Sequence, residues 1–309
     1  MRQPFTDLLM VELIETRAIT VLYQETNGLF MEENDNQEPI ASPVHPMVGH
    51  VVDSYRIVDL IGAGAMGAVF RASHIVTQRE VALKILFSEI AKETESVARM
   101  LREARALAQL DHVNIVKTFD CGYTQVGEPF LVIEYVKGKT LRDILDSQVL
   151  LPPGRPIGLF LQMADAVRAA HKKSILHRDL KPEKIMITDS PKEDTLKVLD
   201  FGIAHFGAES QRLTRAGEVI GSPVFMSPEQ LQGFDLDYKS DIYQLGAIMY
   251  QTLTGEWPHQ NDNFMETIKL KCSKKAPPFS RVVPGRAIPA SLEKIVLRCL
   301  EIDPQDRYI

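Results

Sequence analysis

The sequence has no excess of basic residues. Lysine and arginine together number 35 against 41 aspartates and glutamates, which gives a formal net charge of −6. Proteins that bind nucleic acids usually present a basic surface to the phosphate backbone. We therefore expect no nucleic-acid partner for this chain.

Cysteine is scarce as well. The three cysteines, Cys121, Cys272 and Cys299, lie far apart and form no CxxC pair. A scattered, odd-numbered set provides no disulfide framework, and it suits a reducing compartment. These residues are predicted to be ordinary packed thiols.

Long apolar runs are also missing. No stretch approaches the roughly 18 apolar residues that a membrane-spanning helix needs. Residues 8–23 are apolar, but Glu12, Glu15 and Arg17 interrupt them, which excludes a signal-peptide core too. We predict a cytoplasmic protein with no membrane span in this chain. Residues 8–23 form either a small helix or strand that docks on the body, or a remnant of something larger.

The composition changes about 50 residues into the chain. Residues 31–46 are acidic and proline-rich, which is typical of a disordered linker, so residues 1–50 are interpreted as an N-terminal extension. The length of the rest favours two lobes, a small β-rich one over about 51–136 and a larger, mainly helical one over about 137–309. Periodicity predicts strands within 55–74, 79–87 and 129–136, and helices over 94–110, 157–171 and 241–255.

The first candidate site motif is the glycine-rich stretch IGAGAMGAV at residues 61–69. Gly62, Gly64 and Gly67 form GxGxxG, which is a weak signal by itself. The residues that follow continue as a strand rather than as a helix, which argues against a dinucleotide-binding turn. A glycine hairpin can lay backbone N–H groups over phosphates, and a merely flexible hairpin is an equal alternative for this motif alone.

A lysine on the next strand adds to this motif. Lys84 follows the small residue Ala82, which leaves room for a flat base. A lysine in an apolar strand layer is costly unless it is paired, and Glu103 on the 94–110 helix is the expected partner. Alone, Lys84 would be interpreted as a solvated lysine at a strand edge; with its companions, it is predicted to present an ammonium to phosphates.

Two further motifs supply carboxylates. In HRDLKPEK at residues 177–184, Asp179 is placed to orient a substrate hydroxyl and Lys181 to balance charge on a transferred phosphoryl group. In KVLDFGIAH at residues 197–205, Asp200 follows a strand and is predicted to bind Mg²⁺ that bridges phosphates. An Asp-Phe-Gly turn is common by chance, but its position 21 residues after Asp179 makes it specific.

In this order of motifs the sequence resembles the eukaryotic-type protein kinases, over residues 55–309. The sequence looks most like the bacterial serine/threonine kinases: LKP after HRD is the serine/threonine form, and VIGSPVFMSPEQ at residues 219–230 is similar to their peptide-binding segment. The resemblance implies an α+β, two-lobed fold with a small antiparallel β lobe carrying one helix. It also implies ATP and Mg²⁺, or alternatively Mn²⁺, as cofactors, and protein substrates with serine or threonine acceptors.

The resemblance assigns further roles position by position. Ile133 matches the gatekeeper before the hinge, where Glu134 and Val136 would offer backbone groups to adenine. The catalytic residues implied are Lys84, Glu103, Asp179 and Lys181. The ATP-binding residues implied are Ile61, Gly62, Ala63, Gly64, Ala65, Met66, Gly67, Ala68, Val69, Ala82, Lys84, Glu134, Val136 and Met186. Of these, Val69, Ala82 and Met186 would sandwich the base.

The resemblance also implies an activation segment at roughly residues 200–229. Thr214 is the preferred phosphate acceptor there, with Ser210 second, and Arg178 resembles the arginine that reads that phosphate. Self-association for autophosphorylation follows from that role, and Ser222 matches a hydroxyl that touches the catalytic loop. Structural roles are implied for four further residues: a buried ion pair between Glu229 and Arg307, loop-holding for Asp241, and packing for Trp257.

Lys184 departs from the family pattern, which has a metal-binding asparagine there. A lysine has three donors and no acceptor, so it cannot ligate Mg²⁺. It either places its charge near the phosphates and leaves slower, one-metal catalysis, or pairs with Asp200 or Asp179 and disables the site, or points outward. The hypotheses are therefore a slowed serine/threonine kinase, a pseudokinase that binds nucleotide as a regulatory module, and a scaffold without nucleotide.

The chain ends two residues after Arg307, at Ile309, where the family usually continues. This predicts a truncated sequence, after which further domains, a membrane anchor among them, would follow.

Overall fold

The computed structural model describes most of the region beyond the N-terminal extension. The described residues are 12–13, 45–64, 67–87, 94–147, 151, 154–188, 194–201, 223–261 and 263–308, without the side chains at 94–96, 99–100, 103 and 264. Within these ranges no helix is both long and apolar enough to cross a membrane.

An antiparallel sheet forms the first lobe. Its strands follow the spatial order β1-β2-β3-β4-β6-β5. Their bounds are β1 Val51–Val52, β2 Tyr55–Gly64, β3 Gly67–His74, β4 Glu80–Leu86, β5 Thr118–Tyr123 and β6 Pro129–Glu134. One helix, α1 at Thr94–Leu107, lies between β4 and β5 and contacts β5. The predicted strands and the predicted 94–110 helix are confirmed, with the helix ending three residues earlier.

The two faces of this sheet belong to different apolar clusters. Side chains alternate along a strand, so neighbouring residues point to opposite faces. Phe70, Leu83 and Val132 pack in a cluster confined to the first lobe, whereas Ala82, Leu131 and Ile133 join the large core shared with the second lobe. The shared face is therefore the one that borders the cleft between the lobes.

The second lobe is helical around a small sheet. Strands β7 Gly138–Thr140, β8 Ile185–Thr188 and β9 Leu196–Val198 pair antiparallel in the order β7-β8-β9. The helices are α2 Leu141–Ser147, α3 Arg155–His171, α4 Pro228–Gln232, α5 Tyr238–Thr254, α6 Phe264–Ser273, α7 Phe279–Val282 and α8 Ala290–Cys299. The expectation of a mainly helical lobe omitted this sheet, whose strands of three and four residues are too short to show periodicity.

Helix α5 is the centre of the second lobe. Asp237 caps its N-terminus by accepting from the Lys239 N–H at 2.8 Å, and Gly255 ends it with a left-handed φ of 79°. Nearly all its residues are buried, and α3 and α8 pack against it. The predicted central helix over 241–255 is confirmed and begins three residues earlier.

A buried ion pair connects the end of the chain to this core. The Arg307 guanidinium binds Glu229 in a bidentate arrangement, with N···O distances of 2.7 and 2.8 Å. The same guanidinium also donates to the carbonyl oxygens of Glu301, Ile302 and Lys239. The predicted Glu229–Arg307 pair is confirmed, and every guanidinium N–H has an acceptor.

The described parts of the N-terminal extension contact both lobes. Leu13 is fully buried in the large core, and Glu12 accepts from the Tyr308 hydroxyl at 2.5 Å. His45 stacks edge-on against Phe70 of the first lobe, with ring centroids 5.1 Å apart. For these residues the structure supports docking on the body, and the remainder of residues 1–44 lies outside the described part.

All three cysteines are free thiols, as predicted. Cys299 is buried, and Cys121 and Cys272 are half-buried.

Candidate active site

The glycine-rich hairpin joins β2 to β3 at the cleft. A Cβ on Gly67 would lie 2.1 Å from the Ile85 carbonyl oxygen, so only glycine fits against β4 there. A Cβ on Gly62 or Gly64 would meet no protein atom within 4 Å. The fold therefore requires Gly67, whereas the open space at Gly62 and Gly64 permits a ligand to approach the backbone. Ala65 and Met66 lie outside the described residues.

The other residues assigned to the base lie along the shared face of the first lobe. Ala82 and Ile133 are buried there, and Val69 packs against the same cluster. Met186 lies on β8 of the second lobe, paired in register with Thr140. These positions border the cleft from both lobes, which is compatible with a flat base between them.

The hinge follows β6. Glu134 is its last residue, and its carboxylate binds Lys197 of β9 at 2.8 Å. The Glu134 N–H donates to the Lys117 carbonyl oxygen at 2.8 Å. Val136 packs against the large core. The Glu134–Lys197 pair connects the hinge to the small sheet of the second lobe, a contact that the sequence reasoning did not anticipate.

The catalytic loop, residues 177–184, is held by helix α5. The buried Asp241 carboxylate accepts from the N–H groups of His177 and Arg178 at 2.8 and 2.7 Å. The Gln244 side chain accepts from the Leu180 N–H at 2.8 Å. These bonds fix the loop backbone on either side of Asp179, so the predicted loop-holding role of Asp241 is confirmed. Gln244 was missed, although a polar residue within a buried apolar helix is a usable signal.

Several donors keep Asp241 ionised. Burial raises the pKa of its carboxyl group, but the hydrogen bond from His171 at 2.8 Å and the loop N–H groups outweigh burial and lower that pKa. A buried carboxylate that accepts several hydrogen bonds is stabilised in its charged form. Asp241 therefore remains a fixed acceptor for the loop at neutral pH.

His177 connects the catalytic loop with the segment that carries Asp200. Its ring Nδ1 accepts from the Asp179 N–H at 3.3 Å, so its Nε2–H donates to the Leu199 carbonyl oxygen at 2.8 Å. Burial lowers the pKa of His177, which keeps the imidazole neutral with one donor and one acceptor. The ring thus fixes the relative position of the two aspartate-bearing segments.

Asp179 and Lys181 lie together at the cleft. Lys181 Nζ is 3.1 Å from Asp179 Oδ2, and both side chains remain partly exposed. A carboxylate held in this way can accept a hydrogen bond from an incoming hydroxyl, and the neighbouring ammonium can stabilise negative charge that develops nearby. The geometry agrees with the roles assigned from the sequence, which stay predictions.

Asp200 is the charged centre of the site. Lys84 Nζ lies 3.1 Å from Asp200 Oδ2, and Lys184 Nζ donates to the same oxygen. Burial raises the pKa of Asp200, but the charges of Lys84 and Lys184 and their hydrogen bonds outweigh it and hold that pKa well below its usual range. Burial likewise lowers the pKa of Lys184, and the Asp200 charge outweighs burial and raises it. The site therefore holds one carboxylate between two ammonium groups.

This contact narrows the alternatives for Lys184. The ammonium points inward to Asp200, not outward, while Asp179 pairs with Lys181. Lys84 was expected to pair with Glu103, and in this structure it pairs with Asp200; the Glu103 side chain lies outside the described part, so that pairing stays a prediction. Asp200 also adopts φ 51°, a left-handed conformation that is uncommon outside glycine and often found at functional sites.

The donors around Asp200 suit one Mg²⁺ ion but not two. Within the described residues no group of three His, Cys, Asp or Glu side chains converges on a cation site. Asp200 Oδ1 takes part in neither lysine contact, so Asp200 would offer one oxygen ligand to a single Mg²⁺ ion. A second cation does not fit, because Lys184 brings a positive charge where an oxygen is needed.

Most of the predicted activation segment lies outside the described residues, and with it Ser210, Thr214 and Ser222. The segment is described again from Pro223, where Ser227 and Gln230 form a capping box at the start of α4. Gln230 donates to the Arg178 carbonyl oxygen of the catalytic loop at 2.7 Å. This link between α4 and the catalytic loop was also missed from the sequence. The phosphate-reading role of Arg178 stays a prediction.

Comparison with known proteins agrees with this geometry. A family model described as the protein kinase domain matches residues 55–309. The chain is 40% identical over 257 residues to the serine/threonine-protein kinase pkn3 of Myxococcus xanthus, which covers 82% of this chain and 47% of the relative. It is 36% identical over 262 residues to PknB of Mycobacterium leprae, which covers 84% of this chain and 41% of the relative.

Solved structures extend the likeness to the fold. A crystal structure of a double mutant of the Mycobacterium tuberculosis PknI kinase domain superimposes with a TM-score of 0.65 at 25% identity, covering 84% of this chain and 92% of that one. The predicted two-lobed α+β fold is confirmed. The chain spans less than half the length of the curated relatives it matches.

Proposed function

Because this chain belongs to the protein kinase family, as a domain of the bacterial serine/threonine type, we propose that it transfers the γ-phosphoryl group of Mg-ATP to serine or threonine hydroxyls of proteins. The observation that carries this proposal is the placement of two acidic centres at the cleft. Asp179 lies on a loop fixed by α5, and His177 fixes that loop against the segment that carries Asp200.

Asp179 is the residue that orients the acceptor hydroxyl. Its partly exposed carboxylate accepts a hydrogen bond from the substrate hydroxyl group. This directs a lone pair of the hydroxyl oxygen at the phosphorus atom. Lys181, 3.1 Å from that carboxylate, stabilises charge on the phosphoryl oxygens during transfer. Because the loop backbone is fixed from beneath, neither side chain has to be ordered at the moment of reaction.

Lys84 and the glycine-rich hairpin hold ATP. Lys84 presents its ammonium to the phosphates, and the open backbone around Gly62 and Gly64 covers them. Val69 and Ala82 enclose the adenine from the first lobe and Met186 from the second. Asp200 holds Mg²⁺, which, when bound, neutralises charge on the β- and γ-phosphates.

Lys184 lowers the turnover in this proposal. Its ammonium supplies positive charge beside Asp200 where the family pattern has an oxygen ligand for a second cation. Loss of one well-placed electrostatic stabiliser typically costs about 10²–10³ in rate. The Lys184 ammonium takes the place of that stabiliser and returns part of the lost stabilisation. Slowed one-metal catalysis is therefore the expected outcome.

One observation favours a second candidate function. Two ammonium groups bind the same oxygen of Asp200, and this arrangement compensates the carboxylate charge without a cation. If nucleotide does not displace it, the chain is a pseudokinase: a nucleotide-binding regulatory module whose segment at residues 200–229 contacts a partner. The retention of Asp179, Lys181 and Lys84 together favours catalysis over this alternative.

The partners follow from the proposed reaction. Protein substrates with serine or threonine acceptors are proposed, together with self-association for autophosphorylation at Thr214. A cytoplasmic location of this domain is proposed from its composition.

Phosphate transfer and nucleotide binding together test the proposal. The purified chain is incubated with radiolabelled ATP, Mg²⁺ and myelin basic protein as a general acceptor, beside Asp179→Asn as the matched control. Transfer that exceeds the control at least tenfold supports the kinase. Thermal stabilisation by ATP without transfer above the control establishes the pseudokinase instead, and absence of both contradicts the two proposals.

A further inference from the structure

Lys271 on α6 is a buried lysine outside the candidate active site. It is 1% exposed, and its ammonium donates to the carbonyl oxygens of Val224 at 2.7 Å and Pro223 at 3.2 Å. The ammonium also lies 5.1 Å from the centroid of the Tyr243 ring. Among the described residues, no carboxylate forms an ion pair with it. A buried lysine charge is costly unless it is compensated, and here carbonyl dipoles and a ring provide the compensation.

The two carbonyl groups belong to a segment next to the active site. Residues 223–227 come directly before α4, and Gln230 of α4 binds the Arg178 carbonyl oxygen of the catalytic loop at 2.7 Å. The same Gln230 side chain accepts from Gln244 of α5 at 2.8 Å. The segment is therefore anchored to the catalytic loop at its α4 end and to α6 through Lys271 at its other end.

We propose that Lys271 is a positioning residue that holds residues 223–226 in place for the substrate protein, and so sets the affinity for that substrate. The proposal rests on the proposed kinase function and on the resemblance of residues 219–230 to the peptide-binding segment of that family, since it concerns the acceptor side of the reaction. Lys271 touches neither the reacting atoms nor, in this structure, any residue of the candidate ATP site. Its effect is expected in the KM for the protein substrate rather than in kcat.

The charge of Lys271 is open to titration near neutral pH. Burial lowers the pKa of Lys271 to about 7, so the ammonium loses its proton as the pH rises above that value. Hydrogen bonds from a charged donor are roughly twice as strong as those from a neutral one. The segment is thus held more tightly below pH 7 than above it, which predicts a KM that increases with pH.

The neighbouring groups do not titrate in the same range. The titratable or charged groups around Lys271 are Tyr243, Glu229, Cys272, His259 and Arg307. Burial lowers the pKa of His259 to about 4 and raises the pKa of Cys272 above its ordinary value. Burial also raises the pKa of Tyr243, and Glu229 stays ionised against Arg307. A pH dependence centred near 7 is therefore assigned to Lys271.

The test compares three variants of the full chain. Lys271→Met keeps most of the length and removes the charge and the donors, and Lys271→Arg keeps a charge at all accessible pH values. Lys269→Met, an exposed position on the same helix, is the matched control. Steady-state phosphorylation of myelin basic protein gives KM and kcat between pH 6 and 8.5, and binding of a fluorescent ATP analogue reports whether each variant is folded.

Lys271→Met is expected to raise KM for the protein substrate at least tenfold with kcat within twofold of the parent. The parent's KM is expected to increase severalfold from pH 6 to 8.5, whereas that of Lys271→Arg stays flat. A parent-like KM in Lys271→Met overturns the proposal. If Lys271→Met does not fold, equal pH profiles of the parent and Lys271→Arg overturn it.

A direct binding measurement separates this inference from the proposed function. If the parent transfers no phosphate, the kinase proposal fails, and the affinity for fluorescently labelled myelin basic protein is measured with a non-hydrolysable ATP analogue present. At least tenfold weaker binding by Lys271→Met, with Lys269→Met like the parent, supports the role of Lys271. Equal binding by parent and Lys271→Met, or no binding by either, contradicts it.

Discussion

Replacing Lys184 by asparagine tests the chemistry of the site most directly. The lysine ends the short helical turn Pro182–Lys184, and its ammonium binds Asp200. Lys184→Asn removes that charge and introduces a carbonyl oxygen on a shorter side chain. Because Mg²⁺ requires oxygen ligands, the variant gains a position for a second cation beside Asp200. We expect the variant to be the faster enzyme.

The size of the gain follows from two opposing effects. A missing electrostatic stabiliser costs about 10²–10³ in rate, and the Lys184 charge already returns part of it, so kcat is expected to increase about 10–100-fold. Asp200 remains ionised in the variant because Lys84 stays 3.1 Å away, where two opposite charges attract by about 5 kcal/mol at an effective dielectric constant of about 20. The variant therefore keeps its first cation ligand.

The assay is phosphorylation of myelin basic protein at fixed ATP while free Mg²⁺, and separately Mn²⁺, is increased. The parent is expected to saturate once ATP is complexed, whereas Lys184→Asn shows a second, weaker increase. Lys184→Met is the control, since it removes the charge and offers no oxygen. A second cation site at position 184 is contradicted if Lys184→Met is as fast as Lys184→Asn, or if Lys184→Asn is slower than the parent at every cation concentration.

Three further predictions concern stability, each measured by urea unfolding. Gly67→Ala is expected to lose about 1–3 kcal/mol of unfolding free energy, because its Cβ would lie 2.1 Å from a strand carbonyl oxygen. Gly62→Ala, whose Cβ would meet no protein atom within 4 Å, is expected to stay within about 0.5 kcal/mol of the parent. Equal losses in the two variants contradict the close approach at Gly67. Glu229→Gln is expected to lose about 3–5 kcal/mol of unfolding free energy, because it leaves the Arg307 guanidinium buried without its carboxylate. Adding Arg307→Met is expected to recover part of that loss. Strictly additive losses from the two substitutions contradict the pairing. Relative to Lys271→Met, the parent is expected to gain up to about 5 kcal/mol between pH 7 and 10.5, because folding lowers the pKa of Lys271 from 10.5 to about 7 and the unfolded chain then holds the extra proton. A Lys271→Met curve parallel to the parent's contradicts this shift.

Much of the fold could be predicted because its signals are local. The helix α5 is apolar nearly all round, and the strand β4 shows a short apolar run bounded by polar residues. The order of the glycine-rich hairpin, Lys84, the catalytic loop and Asp200 was also readable, since each motif has a fixed spacing. These features depend on neighbours in the sequence, so no tertiary contact is needed to recognise them.

The contacts that complete the site depend on residues far apart in the chain. Lys84 and Asp200 are separated by 116 positions, and Glu134 and Lys197 by 63. No periodicity or spacing indicates which of several charged residues meet across the cleft. The Lys84–Asp200 contact therefore appeared only in the structure. The anchoring of residues 223–226 by Lys271 also appeared only there, because an isolated lysine within a helix gives no indication of such a contact.

The position of Lys184 explains why its contact with Asp200 is built into the backbone. The Leu199 N–H donates to the Lys184 carbonyl oxygen at 2.8 Å, so the residue at position 184 is tied beside the residue that precedes Asp200. Any side chain at this position leaves the backbone next to the Asp200 carboxylate. A long, flexible cation there has one carboxylate within immediate reach, and burial makes pairing with it far more favourable than isolation. Hence the lysine occupies the region that a second cation would need, both in a slowed kinase and in a nucleotide-binding module. The competition between Lys184 and the bound cation for Asp200 decides which of these two functions the chain has.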